Sequence, residues 1–182
     1  MQRQLFPAVF LDRDGTLMEE ADYCRDPERV HVFDGISSAL IRLKQAGFKL
    51  FLITNQSGIG RGILTLADFD SVQKEFFRQL GAGLIDGVYF APESPDQPST
   101  RRKPAPGMLL EAAGKHHIDL QASWTIGDKA SDIEAGRAAG TRTILVLTGY
   151  GAQQASGCNP EFTVKDVNAA VSDVILKSVA AS

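Results

Sequence analysis

The sequence predicts an α/β fold, a Rossmann-like three-layer sandwich in which helices cover both faces of a mainly parallel sheet. Short apolar runs rich in Val, Ile and Leu alternate along the chain with segments of helical periodicity. This is the pattern of a parallel sheet covered on both faces. A length of 182 residues is enough for one well-buried domain and too short for two with separate cores. We therefore expect a single domain over residues 1–182.

The apolar runs predict five buried strands. They are expected at residues 8–11, 49–54, 87–90, 123–126 and 141–145. Helices between them are indicated by apolar residues at helical spacing or by a proline at the start. One has apolar positions Ile36, Ala39, Leu40 and Leu43 and stops at Gly47, a second has Phe69, Val72, Phe76 and Leu80, and three more are expected at residues 106–116, 130–139 and 166–179. The last helix is expected to be peripheral.

Two stretches lack this regular pattern. Residues 16–34 have too little periodicity for a long helix, so we expect a hairpin-like flap or an irregular loop over the end of the first strand. Residues 91–106 contain five prolines, which exclude regular secondary structure. Loops at this edge of an α/β sheet commonly carry function. Both segments are therefore candidates to shape a site.

Composition excludes several classes of function. The formal net charge of -3 gives no general attraction for nucleic acid or for an anionic membrane. The first residues lack a signal-peptide core, and no apolar run approaches the roughly 20 residues that span a bilayer. We expect a cytoplasmic monomer with no nucleic-acid and no membrane partner. Cys24 and Cys158 lie far apart and in no paired motif, which predicts two free thiols.

Two aspartates follow the first strand in the run VFLDRDGTL, residues 9–17. Side chains two residues apart on an extended chain point the same way, so Asp12 and Asp14 can face one pocket. One carboxylate could attack as a nucleophile while the other handles a proton, and carboxylate oxygens suit magnesium. Aspartate before glycine is also typical of a strand end and a tight turn. This motif alone leaves both interpretations open.

Polar groups follow other strands at the edge where open α/β sheets bind ligands. The second strand ends in TNQSG, residues 54–58, whose hydroxyls and amides can donate hydrogen bonds to phosphate oxygens. A basic triplet at residues 101–103 can hold an anion. The fourth strand leads to Asp128 and Lys129, with Asp132 one helical turn later, and Asp128 could supply a third carboxylate for magnesium. Each group alone is also typical of a turn, a solvated loop or an N-cap. Together they favour phosphoryl transfer.

These motifs resemble the haloacid dehalogenase-like (HAD-like) phosphatase superfamily. Its sequence marks are D-x-D-G-T, a strand-terminal Thr or Ser, a Lys, and G-D-x-x-x-D. In this chain they correspond to residues 12–16, Thr54, Lys103 and residues 127–132, and they cover almost the whole core. The resemblance implies a HAD-like fold with no large cap domain.

The resemblance also implies a role for each residue. Asp12 would attack phosphorus and form an aspartyl-phosphate, while Asp14 would protonate the leaving alcohol and later activate water. Thr54 and Lys103 would stabilise the phosphoryl oxygens. Mg²⁺ would be held by Asp12, the main-chain carbonyl of Asp14, and Asp128. The implied substrate-contacting positions are Glu20, Tyr23, Thr54, Asn55, Gln56, Ser57, Arg102, Lys103 and Lys129.

More narrowly, the strings at residues 54–62 and 102–108 are similar to the branch that contains heptose bisphosphate phosphatases and histidinol-phosphatases. The leading hypothesis is hydrolysis of the 7-phosphate of a heptose bisphosphate, in the synthesis of nucleotide-activated heptose for the lipopolysaccharide core. Hydrolysis of histidinol phosphate is the first alternative, since both activities share these motifs. A non-catalytic phosphosugar-binding protein on the same fold is a more distant one.

One feature of this branch is missing. Many relatives carry a zinc site in the loop before R-K-P, where the corresponding residues here look like Ala91, Glu93, Ser99 and Arg101. None of the four is a soft ligand, and two cannot bind zinc through their side chains at all. We therefore expect magnesium and no zinc.

Overall fold

A six-stranded parallel sheet runs through the structure, a computed structural model in which residues 4–180 are described. Its strands are β1 (Ala8–Leu11), β2 (Lys49–Asn55), β3 (Gly87–Ala91), β4 (Trp124–Gly127), β5 (Arg142–Val146) and β6 (Phe162–Val164). They lie in the order β3-β2-β1-β4-β5-β6, and every neighbouring pair is parallel. The predicted α/β class and the parallel sheet are confirmed.

Five of the six strands lie where the apolar runs predicted them, with ends that differ by at most one residue. The sixth, β6, was not predicted. It has only three residues, none of them fully buried, and it pairs with β5 at the edge of the sheet. Such a short, half-exposed strand has no apolar run that could distinguish it from a loop.

The helices occupy both faces of the sheet. They are α1 (Ile36–Gln45), α2 (Ser57–Gly60), α3 (Leu66–Leu80), α4 (Gly107–His116), α5 (Ala130–Ala139), α6 (Gly151–Gln154), α7 (Val167–Ala169) and α8 (Leu176–Ala180), with a π-helix at Ala170–Ile175 between the last two and a 3-10 helix at Pro27–Arg29. The predicted helix at 69–80 begins earlier, because Thr65 and Asp68 form a capping box before it.

Alternate residues of β1 face two separate hydrophobic clusters. Val9 and Leu11 pack with apolar residues of α1, α3 and the C-terminal helices, whereas Phe10 packs with those of α4 and α5. All four residues of β1 are fully buried. The three-layer arrangement of helix, sheet and helix therefore follows the prediction, and β1 lies at its centre.

The predicted peripheral position of the C-terminal helix is wrong. Val167, Ala170, Val171 and Ile175 are fully buried and belong to the same cluster as β1. The helical segments of 167–175 contact α1 and so help to cover one face of the sheet. Periodicity showed an apolar stripe there, but it could not show which surface the stripe covers.

The two irregular segments are ordered loops. In residues 16–34 the backbone forms isolated bridges from Met18 to Asp14 and to Val32, and Leu17 and Met18 are fully buried. This agrees with the predicted hairpin-like flap. Residues 92–106 contain neither strand nor helix, as their prolines predicted.

Cys24 and Cys158 are both free thiols, as predicted. Within residues 4–180, no helix combines the length and the apolar character that crossing a membrane would need. The single-domain boundary, the cytoplasmic location and the monomeric state stay predictions.

Candidate active site

The candidate site lies at the carboxyl ends of the central strands. Asp12 follows β1, Thr54 lies near the end of β2, and Asp128 follows β4. Because β1 sits between β2 and β4, these three positions are neighbours along one edge of the sheet. Lys103 reaches the same edge from the proline-rich loop before α4. The structure thus brings together the residues that the four motifs predicted.

Three buried carboxylates form the floor of the site. Oxygens of Asp12, Asp128 and Asp132 all lie within 4.8 Å of one another, and each of the residues is buried. Asp132 also caps α5, since its Oδ2 accepts a hydrogen bond from Lys129 N at 2.9 Å. The other oxygen, Oδ1, faces Lys103. Asp132 was noticed in the sequence but given no role, although the G-D-x-x-x-D spacing could have included it.

Lys103 is the buried cation of the site. Its Nζ lies 2.6 Å from Asp12 Oδ1 and 2.6 Å from Asp132 Oδ1, and it donates to the main-chain oxygen of Ile53 at 2.8 Å. Burial lowers the pKa of this amine most strongly, but the two carboxylates more than offset it and raise the pKa to about 12. Asn55 holds the Lys103 backbone with two hydrogen bonds of 3.0 Å. The lysine is therefore charged and fixed in place.

Negative charge exceeds positive charge in this floor. Burial raises the pKa of Asp12 well above its ordinary value; Lys103 opposes this shift, and Asp132 and Asp128 add to it. Burial and then Asp132 raise the pKa of Asp128 to about 6. Lys103 pairs with two of the three carboxylates, those of Asp12 and Asp132, and hard oxygen donors are the ligands that Mg²⁺ prefers. The donor set fits a divalent cation, which would stabilise the ionised carboxylates.

Two glycines enclose Asp128. A Cβ atom built on Gly15 or on Gly149 would lie 2.3 Å from Asp128 Oδ2, and both glycines have positive φ, of 83° and 52°. The same oxygen accepts a hydrogen bond from Tyr150 N at 2.8 Å. Only glycine leaves room for the carboxylate at these two positions. The glycine in D-x-D-G-T thus shapes the site as well as the turn.

Asp14 has a separate environment. Its carboxylate accepts hydrogen bonds from Arg13, with Nε at 3.2 Å and Nη2 at 3.1 Å, and from Gln56 Nε2 at 3.0 Å. Thr54 Oγ1 lies 3.5 Å from the same carboxylate. Among the described residues, the side chain of Asp14 is not part of the three-carboxylate cluster. The two aspartates of the motif are therefore used differently.

A cavity of about 200 Å³ opens beside Asp14. Six of the predicted substrate-contacting residues line it: Glu20, Tyr23, Asn55, Gln56, Ser57 and Lys129. A smaller pocket of about 40 Å³ is lined by residues that include Asp12, Thr54 and Lys103. Asp14 lines both, as do Asn55 and Lys129, so these three residues stand at the boundary of the pockets. Arg102 does not line either; its Nη1 donates to the main-chain oxygen of Glu93 at 3.2 Å.

Contacts across the larger cavity join the flap to the loop after β5. Lys129 pairs with Glu20 at 2.8 Å, and its Nζ lies 4.7 Å from the centre of the Tyr150 ring. The Tyr150 hydroxyl lies 3.2 Å from Asp22 Oδ1. Asp22 and Tyr150 were not predicted as site residues, because no motif marks them and only the folded loops bring them to the cavity.

The proline-rich loop is held by its two arginines. Arg101 Nη2 donates to Phe90 O at 3.2 Å, and the Arg101 guanidinium pairs with Glu111 on α4. Ser99 Oγ accepts hydrogen bonds from the backbone N–H groups of Arg101 and Arg102. Protein contacts therefore anchor the segment in which the resemblance would place a zinc site. The expectation of no zinc stays a prediction.

Comparison with known proteins agrees with this geometry. Residues 100–170 match the HAD-hydrolase-like family model. The D-glycero-β-D-manno-heptose-1,7-bisphosphate 7-phosphatase of Helicobacter pylori is 43% identical over 144 residues, which are 77% of this chain and 83% of that protein. The enzyme of the same name from Escherichia coli K12 is 40% identical over 153 residues, 79% of this chain and 80% of that protein.

Solved structures give the same result. The D,D-heptose 1,7-bisphosphate phosphatase of B. bronchiseptica, crystallised with magnesium and phosphate, superposes with a TM-score of 0.86 at 30% identity and covers 94% of this chain and 99% of its own. The Burkholderia thailandensis enzyme gives a TM-score of 0.69 at 29% identity, covering 92% and 97%. The Helicobacter pylori and Escherichia coli enzymes are 43% and 40% identical to this chain over 83% and 80% of their own lengths. The chain therefore belongs to the D-glycero-D-manno-heptose 1,7-bisphosphate 7-phosphatase family of HAD-like phosphatases.

Proposed function

We propose that this protein is a magnesium-dependent phosphatase that removes the 7-phosphate of D-glycero-β-D-manno-heptose 1,7-bisphosphate. The observation that carries the proposal is the buried contact of Asp12 with Lys103 inside a three-carboxylate cluster. The relatives at about 40% identity bear the name of this activity, which favours it over histidinol phosphate hydrolysis. The product would feed the synthesis of nucleotide-activated heptose for the lipopolysaccharide core.

Asp12 is the proposed nucleophile. One of its oxygens attacks phosphorus, a P–O bond forms to the enzyme, and the bond from phosphorus to the sugar oxygen breaks. Lys103 and Thr54 lie beside this point and stabilise charge on the phosphoryl oxygens. Water then hydrolyses the aspartyl-phosphate and releases inorganic phosphate.

Asp14 is the proposed proton carrier. It gives a proton to the departing sugar oxygen and later takes one from the attacking water. Its place at the boundary of the two pockets supports this role, since the bond to be broken must span that boundary. Asp12, the main-chain carbonyl of Asp14, and Asp128 would hold Mg²⁺, which supplies positive charge against the phosphoryl oxygens.

The larger cavity would take the sugar. Glu20, Tyr23, Ser57 and Lys129 line it and offer hydrogen-bond donors and acceptors for hydroxyl groups. The amides of Asn55 and Gln56 line it as well, although Asn55 already binds the Lys103 backbone and Gln56 already donates to Asp14 and Thr54.

Arg102 supplies the positive charge suited to the second phosphate, at C1 of the sugar. Burial, and after it the charge of Arg61, lowers the pKa of Arg102, and its guanidinium lines neither pocket. A phosphate that reached Arg102 would accept charge-assisted hydrogen bonds from it.

Steady-state rates on heptose bisphosphate and histidinol phosphate, measured with magnesium, test the proposal. We expect kcat/KM to favour the heptose bisphosphate by a large factor. Asp12→Asn should abolish phosphate release while the fold persists, and this variant also excludes a purely binding role. A preference for histidinol phosphate would refute the substrate, and undiminished turnover by Asp12→Asn would refute the nucleophile.

A further inference from the structure

Arg13, between the two aspartates of the motif, is completely enclosed by the protein. Only 1% of it is exposed, and it is the largest of the fully buried side chains in residues 4–180. A buried guanidinium is unfavourable unless its charge and its donors are matched. Its position in the D-x-D-G-T motif is variable in the pattern itself, so the motif does not explain why arginine stands there.

Three groups fix the guanidinium. Its Nη1 donates to Gln73 Oε1 at 3.0 Å, and its central carbon lies 5.4 Å from the centre of the Phe69 ring. Its Nε and Nη2 point to the Asp14 carboxylate. Gln73 and Phe69 both lie on α3, so the helix orients the arginine and the arginine meets Asp14 with two parallel donors.

Gln73 is unusual on its helix. The buried face of α3 is otherwise apolar, with Phe69, Val72, Phe76 and Leu80. A buried amide on an apolar face lowers stability unless it is hydrogen-bonded, and Arg13 is the partner that the structure gives to its oxygen. The amide nitrogen of Gln73 is buried without a hydrogen-bond partner among the described residues, so the contact with Arg13 is the interaction that this buried amide supplies.

The Asp14 carboxylate lies outside the three-carboxylate cluster, although it lines the smaller pocket together with Asp12. Side chains at positions i and i+2 of an extended chain point to the same side, yet only Asp12 lies in the three-carboxylate cluster. The Asp14 carboxylate accepts hydrogen bonds from Arg13 at 3.1–3.2 Å and from Gln56 at 3.0 Å. These contacts keep the Asp14 carboxylate at the boundary between the phosphate pocket and the sugar cavity.

We propose that Arg13, held by Gln73 and Phe69, is a positioning residue that aims the Asp14 carboxylate at the sugar oxygen leaving phosphorus. The inference rests on the proposed function, in which Asp14 carries the proton. It predicts that loss of Arg13 harms the transfer of that proton and leaves attack by Asp12 largely intact.

The leaving group provides the test. A sugar alkoxide needs a proton as it departs, whereas p-nitrophenolate departs without one. In Arg13→Met we expect kcat/KM for heptose bisphosphate to fall about 100-fold, the usual contribution of a general acid, and kcat/KM for p-nitrophenyl phosphate to fall less than about 5-fold. Both rates scale with the same concentration of folded enzyme, so the ratio of the two kcat/KM values does not depend on how much of the enzyme is folded.

Two further variants test the positioning role even if Arg13→Met does not fold. Arg13→Lys keeps the charge but loses the two parallel donors, so it should show an intermediate change in the same ratio. Gln73→Met removes the acceptor that orients Arg13 and should shift the ratio in the same direction by a smaller factor. Equal losses on both substrates in all three variants would overturn the positioning role. A wild-type protein without activity on heptose bisphosphate would instead overturn the proposed function.

Discussion

The ammonium group of Lys103 lies 2.6 Å from the carboxylate of Asp12, and both groups are almost completely buried. The chain separates these residues by 91 positions, and the proline-rich loop before α4 brings the lysine back to the end of β1. The contact aims one oxygen of Asp12 and places a fixed charge beside it. It also leaves two further carboxylates, those of Asp128 and Asp132, in the same small volume.

Replacing the lysine tests this contact. Lys103→Met should lower kcat by about 100-fold to 1,000-fold, the usual loss when one preorganised donor to a developing charge is removed. Lys177→Met is the matched control, because Lys177 pairs with Asp173 at 3.2 Å on the exposed surface of the C-terminal helices and such pairs contribute little. Phosphate-release assays compare the two variants with the wild type, and Lys177→Met should keep the wild-type rate. A Lys103→Met enzyme that keeps a tenth of its activity would contradict the assigned role.

The raised pKa of Asp128 predicts how stability depends on pH without magnesium. Burial and then Asp132 raise that pKa to about 6 from the ordinary value of 3.8. The folded protein therefore holds this proton more tightly than the unfolded chain, so the contribution of Asp128 to stability falls as pH rises between these two values. Above pH 6 the ionised carboxylate destabilises the fold.

Asp128→Asn removes this titrating group and its charge from the cluster. In EDTA at pH 7 we expect the variant to have a higher melting temperature than the wild type, and the gap to close as pH falls toward 4. Saturating Mg²⁺ should reverse the order, since a ligand that binds only the folded state stabilises it and the variant has lost one donor. Melting curves over pH 4–7 measure all three expectations. A gap that does not change with pH would show that Asp128 titrates normally.

The glycines around Asp128 leave the space that its carboxylate occupies, and adding a methyl group there tests whether that space is needed. In Gly15→Ala the new methyl group would meet the Asp128 carboxylate at 2.3 Å, and φ is 83°. We expect loss of activity and a higher magnesium concentration for half-maximal rate.

Gly140→Ala is the control for backbone strain alone. Its φ is 89°, but the new methyl group would meet nothing within 4 Å. It should lower stability by about 1 kcal/mol and keep full activity. Similar rates for the two variants would mean that the space around Asp128 does not matter.

The sequence could predict the parts of the site that follow strand ends. Asp12, Thr54 and Asp128 meet because parallel strands present their carboxyl ends at one edge, and apolar runs locate such strands well. The conformation of the loops over this edge could not be predicted in this way. Tyr150 reaches the cavity only through the turn after β5, and it has no periodic pattern or motif to mark it.

Hydrogen-bond partners were also beyond sequence reasoning. Asn55 and Gln56 were expected to contact substrate, and the structure shows that both amides already bind within the protein, to the Lys103 backbone and to Asp14. A motif shows which residue types gather at a site. It does not show which of them touch the ligand and which orient their neighbours.

The loop at residues 91–106 leads to the last prediction, which concerns metal content. Where relatives of this branch carry zinc, this chain has Ala91, Glu93, Ser99 and Arg101, a set without a thiolate or an imidazole. The guanidinium of Arg101 occupies this loop, bonded to Phe90 O, and adds positive charge where a zinc ion would have to bind. We expect purified protein to contain far less than one zinc per chain.

Chelation separates the two metals. Treatment with EDTA should abolish phosphatase activity, and Mg²⁺ alone should restore it completely, because Asp12, Asp128 and Asp132 form the only group of three or more potential ligand side chains among residues 4–180. The melting temperature of the magnesium-restored enzyme should equal that of untreated protein. If activity or stability returned only after zinc was added, the loop would contain a metal site. The hydrogen bonds and the ion pair of Arg101 would then not be sufficient to hold the loop in place.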